Sequence, residues 1–161
     1  MVAFSRSRAA QPPVPLESFR EAIHCDGRAS DVVSKLLSLD PRDARRFVGE
    51  VTKTAYRRLH EVVTSTIDEI AQRAERGEVG SRDLITITRS EVIVRYQQAR
   101  GQVPKEVADA LLVIIDELKK EIQAAAKPGG RGTRGELSGA LERARLILDA
   151  IAVLVYNYGK R

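Results

Sequence analysis

Aliphatic side chains recur at intervals of three and four residues along most of the chain after residue 15. This spacing places them on one face of an α-helix. Residues 84–88 are β-prone by composition, but no partner strand accompanies them. Aromatic residues make up only 4% of the chain, so the core must be aliphatic, which suits helix-on-helix packing. The sequence therefore predicts an all-α fold.

The best-marked helix follows Asp40. Asp40 suits the N-cap, Pro41 suits the first helical position, and Gly77 can end the helix. The Thr-Ser-Thr segment at residues 64–66 lies midway and predicts a kink or a split there. Apart from that point, we expect one continuous helix from Asp40 to Gly77. Its apolar face contains Ala44, Phe47, Val48, Val51, Ala55, Leu59, Val62, Val63, Ile67, Ile70 and Ala74.

Further helical patterns flank this segment. Short ones cover residues 17–25 and 30–39, with Ser30 as a plausible N-cap of the second. Another helix is expected from Ser81 to Gly101, and the next one begins after Pro104. The last covers residues 136–158 and is nearly all apolar at 146–155, so it should be the central helix. In the helix after Ser81, the residues that trace one face are Leu84, Ile85, Thr88, Val92, Tyr96 and Ala99.

These segments predict a single domain, a helical bundle of about five helices over residues 16–161. Residues 1–15 contain Arg6 and Arg8 and then a proline-rich stretch, and we expect a disordered N-terminal arm. Residues 127–135, KPGGRGTRG, should form a flexible basic loop.

The inventory of reactive side chains argues against catalysis. Cys25 is the only cysteine, and His24 and His60 are the only histidines, with no metal-ligand spacing between them. No phosphate-binding loop with its lysine is present. We therefore expect no enzyme activity, no metal and no cofactor. Residues 1–15 lack the apolar stretch of a secretory signal, and no apolar run is long enough to span a membrane, so we expect a cytoplasmic protein.

Basic residues provide the strongest functional signal in a chain of net charge +5. On a wheel of the helix after Asp40, four cations fall within a sector of about 60° opposite the apolar face, with Gly49 in its middle. They span about 22 Å, enough to follow several phosphates of a nucleic-acid strand. An ordinary solvated face is the alternative, and the high arginine content also suits a thermophile. The four residues are Arg42, Arg46, Lys53 and Arg57.

Two further sets of arginines extend this prediction. Arg95 and Arg100 belong to the helix after Ser81, and Arg131 and Arg134 belong to the Gly/Arg loop. Charge is also polarised, because residues 41–60 are basic and residues 61–80 are mostly acidic. Such polarity permits head-to-tail stacking of copies, although charge balancing within one molecule explains it equally well.

Three segments of the sequence resemble the small subunit of type III-A CRISPR effector complexes, the Csm complexes. Residues 39–47, LDPRDARRF, resemble its first conserved helix, and residues 92–100, VIVRYQQAR, resemble the helix with an aromatic residue four positions before Arg. Residues 148–153, LDAIAV, and 156–159, YNYG, are similar to its C-terminal helix and Tyr-rich tail. The resemblance covers about residues 38–161 and depends on the order and spacing of the segments.

The resemblance implies a non-catalytic subunit that works in antiviral defence. Copies would stack in a short filament along the guide–target RNA duplex, contact mainly the target strand without reading its sequence, and adjoin other effector subunits, which cut the RNA. Arg100 could instead be structural and pair with a buried carboxylate. A helical scaffold or adaptor whose basic face is incidental remains the alternative function. A DNA-binding regulator is a weaker third possibility, since no short helix-turn-helix pair is visible.

Overall fold

A computed structural model of the chain describes residues 12–127 and 133–161. Within these residues the fold is all-α, as predicted, but it contains seven helices instead of about five. None of them combines the length and the apolar character that a bilayer-spanning segment requires. The helices are α1 (Leu16–Ala22), α2 (Asp26–Leu37), α3 (Pro41–Val48), α4 (Lys53–Glu75), α5 (Ser81–Ala99), α6 (Lys105–Ala126) and α7 (Thr133–Tyr158).

The predicted continuous helix after Asp40 is wrong, because the chain breaks at Gly49. The start is as expected: Asp40 caps α3 by accepting a hydrogen bond from the amide of Asp43 at 2.8 Å. Helix α3 ends after two turns, where Gly49 adopts φ 54° and ψ −137°, a conformation that other residues rarely adopt. The Thr52 side chain then caps a second helix, α4.

Helix α4 is continuous where a kink or split was predicted. Residues 64–66 lie within Lys53–Glu75 and are helical throughout. The Thr64 hydroxyl donates to the His60 carbonyl at 2.7 Å, and the Thr66 hydroxyl donates to the Val62 carbonyl at 3.0 Å. Both hydroxyls are therefore satisfied within the preceding turn of the same helix.

Three boundaries elsewhere also differ from the prediction. Helix α2 begins at Asp26, with Cys25 as N-cap, so Ser30 lies inside the helix and caps nothing. Val14 is buried although it falls in the predicted arm, of which residues 1–11 lie outside the described part of the chain. Helix α7 begins at Thr133, so the described end of the predicted Gly/Arg loop is already helical, and residues 128–132 lie outside the described part.

The prediction of a central C-terminal helix is confirmed. Helix α7 packs against α2, α3, α4 and α6. Its burial is less complete than the nearly apolar stretch suggests, because the buried residues cover about half of the circumference of the helix, and Leu146 and Val153 are 48% and 45% exposed. The residues that it contributes to the core include Leu137, Leu141, Ala144, Ile147, Leu148, Ile151, Leu154 and Val155.

Helix α1 is attached to α6 through a buried carboxylate, Glu117. One carboxylate oxygen accepts hydrogen bonds from Arg20 Nη1 at 2.7 Å and Lys120 Nζ at 3.1 Å, and the other contacts His24 Nε2 at 2.6 Å. Burial alone would raise the pKa of Glu117, but the combined hydrogen bonds from these three side chains lower it. Glu121 also contacts His24, at 3.3 Å from Nδ1. The network fixes the N-terminal helix on the bundle.

The face of α5 that packs against the core is opposite to the one that the sequence predicts. Its buried residues are Asp83, Ile87, Ser90 and Val94. It packs mainly against α4 and α6 at one edge of the bundle, so only a narrow stripe is covered. Asp83 belongs to this stripe because it accepts a hydrogen bond from Arg73 Nε at 2.8 Å and one from the Gly80 amide at 2.9 Å. The exposed residues therefore include Ile85, Val92, Tyr96 and Ala99 from the predicted apolar face.

Candidate nucleic-acid interface

A groove of about 540 Å³ lies between the first turns of α4 and the last turns of α7. Four of the residues that line the groove share one face of α4, because they are three, one and three positions apart. They are Lys53, Tyr56, Arg57 and His60. Helix α7 contributes the opposite wall, which is mainly apolar. Its lining residues are Ala152, Val153, Val155 and Tyr156.

The rim of the groove combines an aromatic ring with two cations. The Tyr156 side chain is 74% exposed, and Lys53 Nζ lies 5.3 Å from the centre of its ring. Arg57 is 80% exposed, and its Nε contacts Glu61 Oε1 at 3.1 Å, one turn further along α4. An exposed pair of this kind contributes little to stability, so Arg57 can exchange Glu61 for a phosphate at small cost. The rim can therefore contact both a base and the backbone of a strand.

The floor of the groove contains an unpaired hydroxyl group. Tyr56 is buried, and its hydroxyl has no hydrogen-bond partner among the described residues. Burial raises the pKa of Tyr56, and the negative charge of Asp149 raises it further, so the hydroxyl stays neutral. His60 lies beside it, with Nε2 at 3.1 Å from Asp149 Oδ1. Buried polar groups are usually paired, and this hydroxyl, which has almost no accessible surface, lacks a partner in the described part of the chain.

The C-terminal residues after α7 fix the position of this rim. The Lys160 amide donates to the Val51 carbonyl at 2.9 Å, and the Lys53 amide donates to the Lys160 carbonyl at 2.8 Å. The Gly159 amide closes the turn by donating to Val155 at 2.7 Å. The guanidinium group of Arg45 in α3 lies 5.8 Å from the centre of the ring of Tyr158, the last residue of α7. Two tyrosines of the tail are thus matched with two cations at the α3–α4 junction.

The four cations of the predicted continuous face divide into two pairs. Lys53 and Arg57 line the groove together. Arg42 and Arg46 are exposed on α3, on the other side of the break at Gly49, and neither lines the groove. Because the helical phase is lost at Gly49, the wheel that placed all four in one sector does not apply. Gly49 itself does not leave an open place for a strand, since Pro104 of the same chain occupies it.

Arg95 and Arg100 lie apart from the groove on α5. Arg95 Nε contacts Glu91 at 3.1 Å, and Lys119 contacts the same carboxylate at 2.9 Å. These contacts, with that of Lys119 the larger, lower the pKa of Glu91. Arg100 lies 5.5 Å from the centre of the Tyr96 ring, and no carboxylate of the described residues pairs with it. The buried ion pair considered for Arg100 is therefore not found. Arg131 and the side chain of Arg134 lie outside the described residues.

The sequence prediction missed Tyr156, Tyr56 and His60. A Tyr-rich tail is visible in the sequence, but its contact with Lys53 joins residues about a hundred positions apart, and helical periodicity gives no information on such a contact. Among the described residues, no group of three His, Cys, Asp or Glu side chains is arranged to hold a metal ion. The absence of a cofactor stays a prediction.

No protein-family model, curated protein or solved structure matches this chain. The resemblance to CRISPR small subunits therefore depends on the sequence segments alone, and the family remains a prediction.

Proposed function

We propose that the chain binds single-stranded RNA without reading its sequence, and that the groove between α4 and α7 is the contact. The observation that carries this proposal is the exposed Tyr156 ring beside Lys53 and Arg57 at the rim of a 540 Å³ groove. Proteins that bind single strands without sequence preference combine these elements, aromatic rings for base stacking and cations for the backbone.

Each part of the groove has a distinct role in this proposal. A base stacks on Tyr156, and the flanking phosphates contact Lys53 and Arg57. Stacking and phosphate contacts discriminate poorly between bases, so affinity should depend on salt far more than on sequence.

In the cell, we propose that this activity belongs to a non-catalytic small subunit of a type III CRISPR effector complex. The resemblance of residues 39–47, 92–100, 148–153 and 156–159 supports this role. Copies would stack along the guide–target duplex next to other effector subunits, with the groove toward the target strand. The net charge of +5 is consistent with a polyanionic partner.

Fluorescence anisotropy with a labelled, unstructured 20-nucleotide RNA tests the groove. The double variant Lys53→Gln/Arg57→Gln should weaken binding, and the slope of log K against log salt should fall by about 1.4, since each lost phosphate contact removes about 0.7 for a single strand. Arg76→Gln is the matched control for the single variant Arg57→Gln, because Arg76 is exposed at the far end of α4, roughly 30 Å from Arg57 at 1.5 Å per residue. An equal loss with Arg76→Gln would show that charge, and not the groove, governs binding.

Substitutions of Tyr156 separate stacking from charge in the same assay. Tyr156→Ala should cost about 1–3 kcal/mol of binding free energy at unchanged salt slope, whereas Tyr156→Phe should retain most of the affinity. Equal affinities for the wild type and Tyr156→Ala would contradict base stacking in the groove.

A helical scaffold or adaptor is the second candidate function, and the exposed apolar face of α5 favours it. If the basic face is incidental, Lys53→Glu/Arg57→Glu changes neither the affinity for RNA nor its salt dependence. Under the first proposal the same charge reversal abolishes RNA binding, while the circular-dichroism spectrum of the folded chain is retained.

A further inference from the structure

The outer face of α5 carries an apolar strip that no part of the described chain covers. Ile85 is 63% exposed, Val92 is 60% exposed and Tyr96 is 57% exposed, and Ala99 continues the row. Their spacing of seven, four and three residues aligns them along one side of the helix, opposite the buried Ile87. We call these four residues the outer strip. Isolated apolar residues are common on surfaces, but several exposed apolar residues on one side of a single helix are typical of an interaction site.

Arginines border the outer strip on both sides. At 100° per residue, Arg82, Arg89 and Arg100 fall on one side and Arg95 on the other. Of these, Arg82 and Arg89 have no ion-pair partner among the described residues, and Arg100 lies over the ring of Tyr96. Arg95 pairs with Glu91, the one carboxylate of α5 that is not buried, and Lys119 contacts the same carboxylate. The surface is therefore apolar at its centre and positive on the side of Arg82, Arg89 and Arg100.

A groove of about 640 Å³ between α4 and α5 adjoins the strip on the side of Arg89. Val62 of α4 is exposed and lines this groove together with Ile93, so the apolar surface extends beyond α5. Glu61 and Glu69 of α4 also line it, but neither forms an ion pair with Arg89. A helix laid along the strip can place side chains in this groove, as in helix-in-groove recognition.

We propose that the outer strip is the docking site for an acidic amphipathic helix of a different protein. Large aliphatic residues of the partner helix, spaced by three and four, would cover Ile85 and Val92, and carboxylates of the partner helix would pair with the bordering arginines. The charge argues against the same face of a second copy, since Arg82, Arg89 and Arg100, which form no ion pair among the described residues, would meet their counterparts. RNA fits less well, because aliphatic Ile85 and Val92 at the centre neither stack on bases nor donate hydrogen bonds. The proposal is independent of the RNA groove, whose lining residues belong to α4 and α7.

The test uses the full, ¹⁵N-labelled chain and three synthetic helical peptides. The first has leucines at positions spaced by three and four with glutamates at their flanks; the second has the same composition with shuffled leucines; the third has lysines in place of the glutamates. The first peptide should shift the amide resonances of α5 around Val92, and the other two should not. No shift with the first peptide at millimolar concentration, or equal shifts with the shuffled one, would overturn the proposal.

Substitutions assign the effect to the strip. Val92→Glu should weaken binding of the first peptide by at least about tenfold, as at an interface hot spot, whereas the control Leu37→Glu, an exposed apolar residue of α2, should not. Arg89→Glu/Arg100→Glu should transfer the preference to the lysine peptide. Loss of RNA affinity in Val92→Glu with unchanged peptide binding would assign the strip to RNA. Conversion of a dimer to a monomer by Val92→Glu in sedimentation would assign it to a second copy. Either result would overturn the proposal.

Discussion

The substitution Gly49→Ala distinguishes the observed break from the continuous helix that the sequence suggests, because the two predict effects of opposite sign. In a helix interior, alanine is more favourable than glycine by about 0.8–1.0 kcal/mol, so a continuous helix would be stabilised. In the structure, Gly49 has φ 54° and ψ −137°, which strains any residue with a Cβ atom. Gly49→Ala should therefore destabilise the protein.

Two contributions determine the magnitude. Backbone strain in such a conformation costs about 1–3 kcal/mol. In addition, a Cβ atom at Gly49 would lie 3.0 Å from Cβ of Pro104, closer than ordinary van der Waals contact, so the α5–α6 connection must shift. We expect the free energy of unfolding to fall by about 2–4 kcal/mol in total. For a chain of this size, that corresponds to a decrease in Tm of roughly 5–15 °C.

Urea denaturation followed by circular dichroism at 222 nm measures this effect, with Gly101→Ala as the matched control. Gly101 also has a positive φ, 72°, but a Cβ atom there would meet nothing within 4 Å. Gly101→Ala should therefore show strain alone, about 1–2 kcal/mol. Stabilisation by Gly49→Ala would refute the break, and equal effects of the two substitutions would refute the contact with Pro104.

Three other substitutions test the core, the groove and the tail. Glu117→Gln should lower the free energy of unfolding at pH 7 by about 1–2 kcal/mol. Because the pKa of Glu117 is lowered in the folded state, the wild type loses this stabilisation as the pH falls below about 4.5. The free energy of unfolding of the variant should therefore depend less on pH in this range. Tyr56→Phe removes a buried hydroxyl without a partner and should stabilise the free protein by about 1 kcal/mol in urea denaturation, or destabilise it if the hydroxyl is paired. Gly159→Ala would place a Cβ atom 2.5 Å from the Val155 carbonyl oxygen, so the tail must move; RNA affinity should fall as in Tyr156→Ala, and unchanged affinity would contradict a role for the tail.

Local signals in the sequence predicted several of the helix boundaries correctly. Asp40 with Pro41, Gly77 and Pro104 mark helix boundaries that the structure confirms, because capping and proline geometry act within a single turn. The break at Gly49 escaped prediction, since a glycine inside a helix costs only about 1 kcal/mol and the apolar phase continues across it. The residue that a Cβ atom at Gly49 would meet, Pro104, lies more than fifty positions away, so periodicity could not indicate this contact.

The orientation of α5 shows a second limit of periodicity. The helix has two apolar stripes, one with Ile87 and Val94 and one with Ile85 and Val92, and a wheel cannot tell which of them faces the bundle. The buried Asp83, which pairs with Arg73 of α4, helps to determine the choice. A polar residue thus marks the buried side, contrary to what hydrophobicity alone suggests.

The break that invalidates the helical wheel also builds the candidate site. A continuous helix would pair the Val51 carbonyl and the Lys53 amide within its own backbone, whereas the break leaves both groups in need of partners. Lys160 supplies both, since its amide donates to Val51 and its carbonyl accepts from Lys53. These two bonds bring the end of α7 to the start of α4 and place Tyr156 beside Lys53. The sequence could group Lys53 with Arg57 because both belong to α4. It could not indicate Tyr156, because the contact of Tyr156 with Lys53 depends on the break that precedes α4.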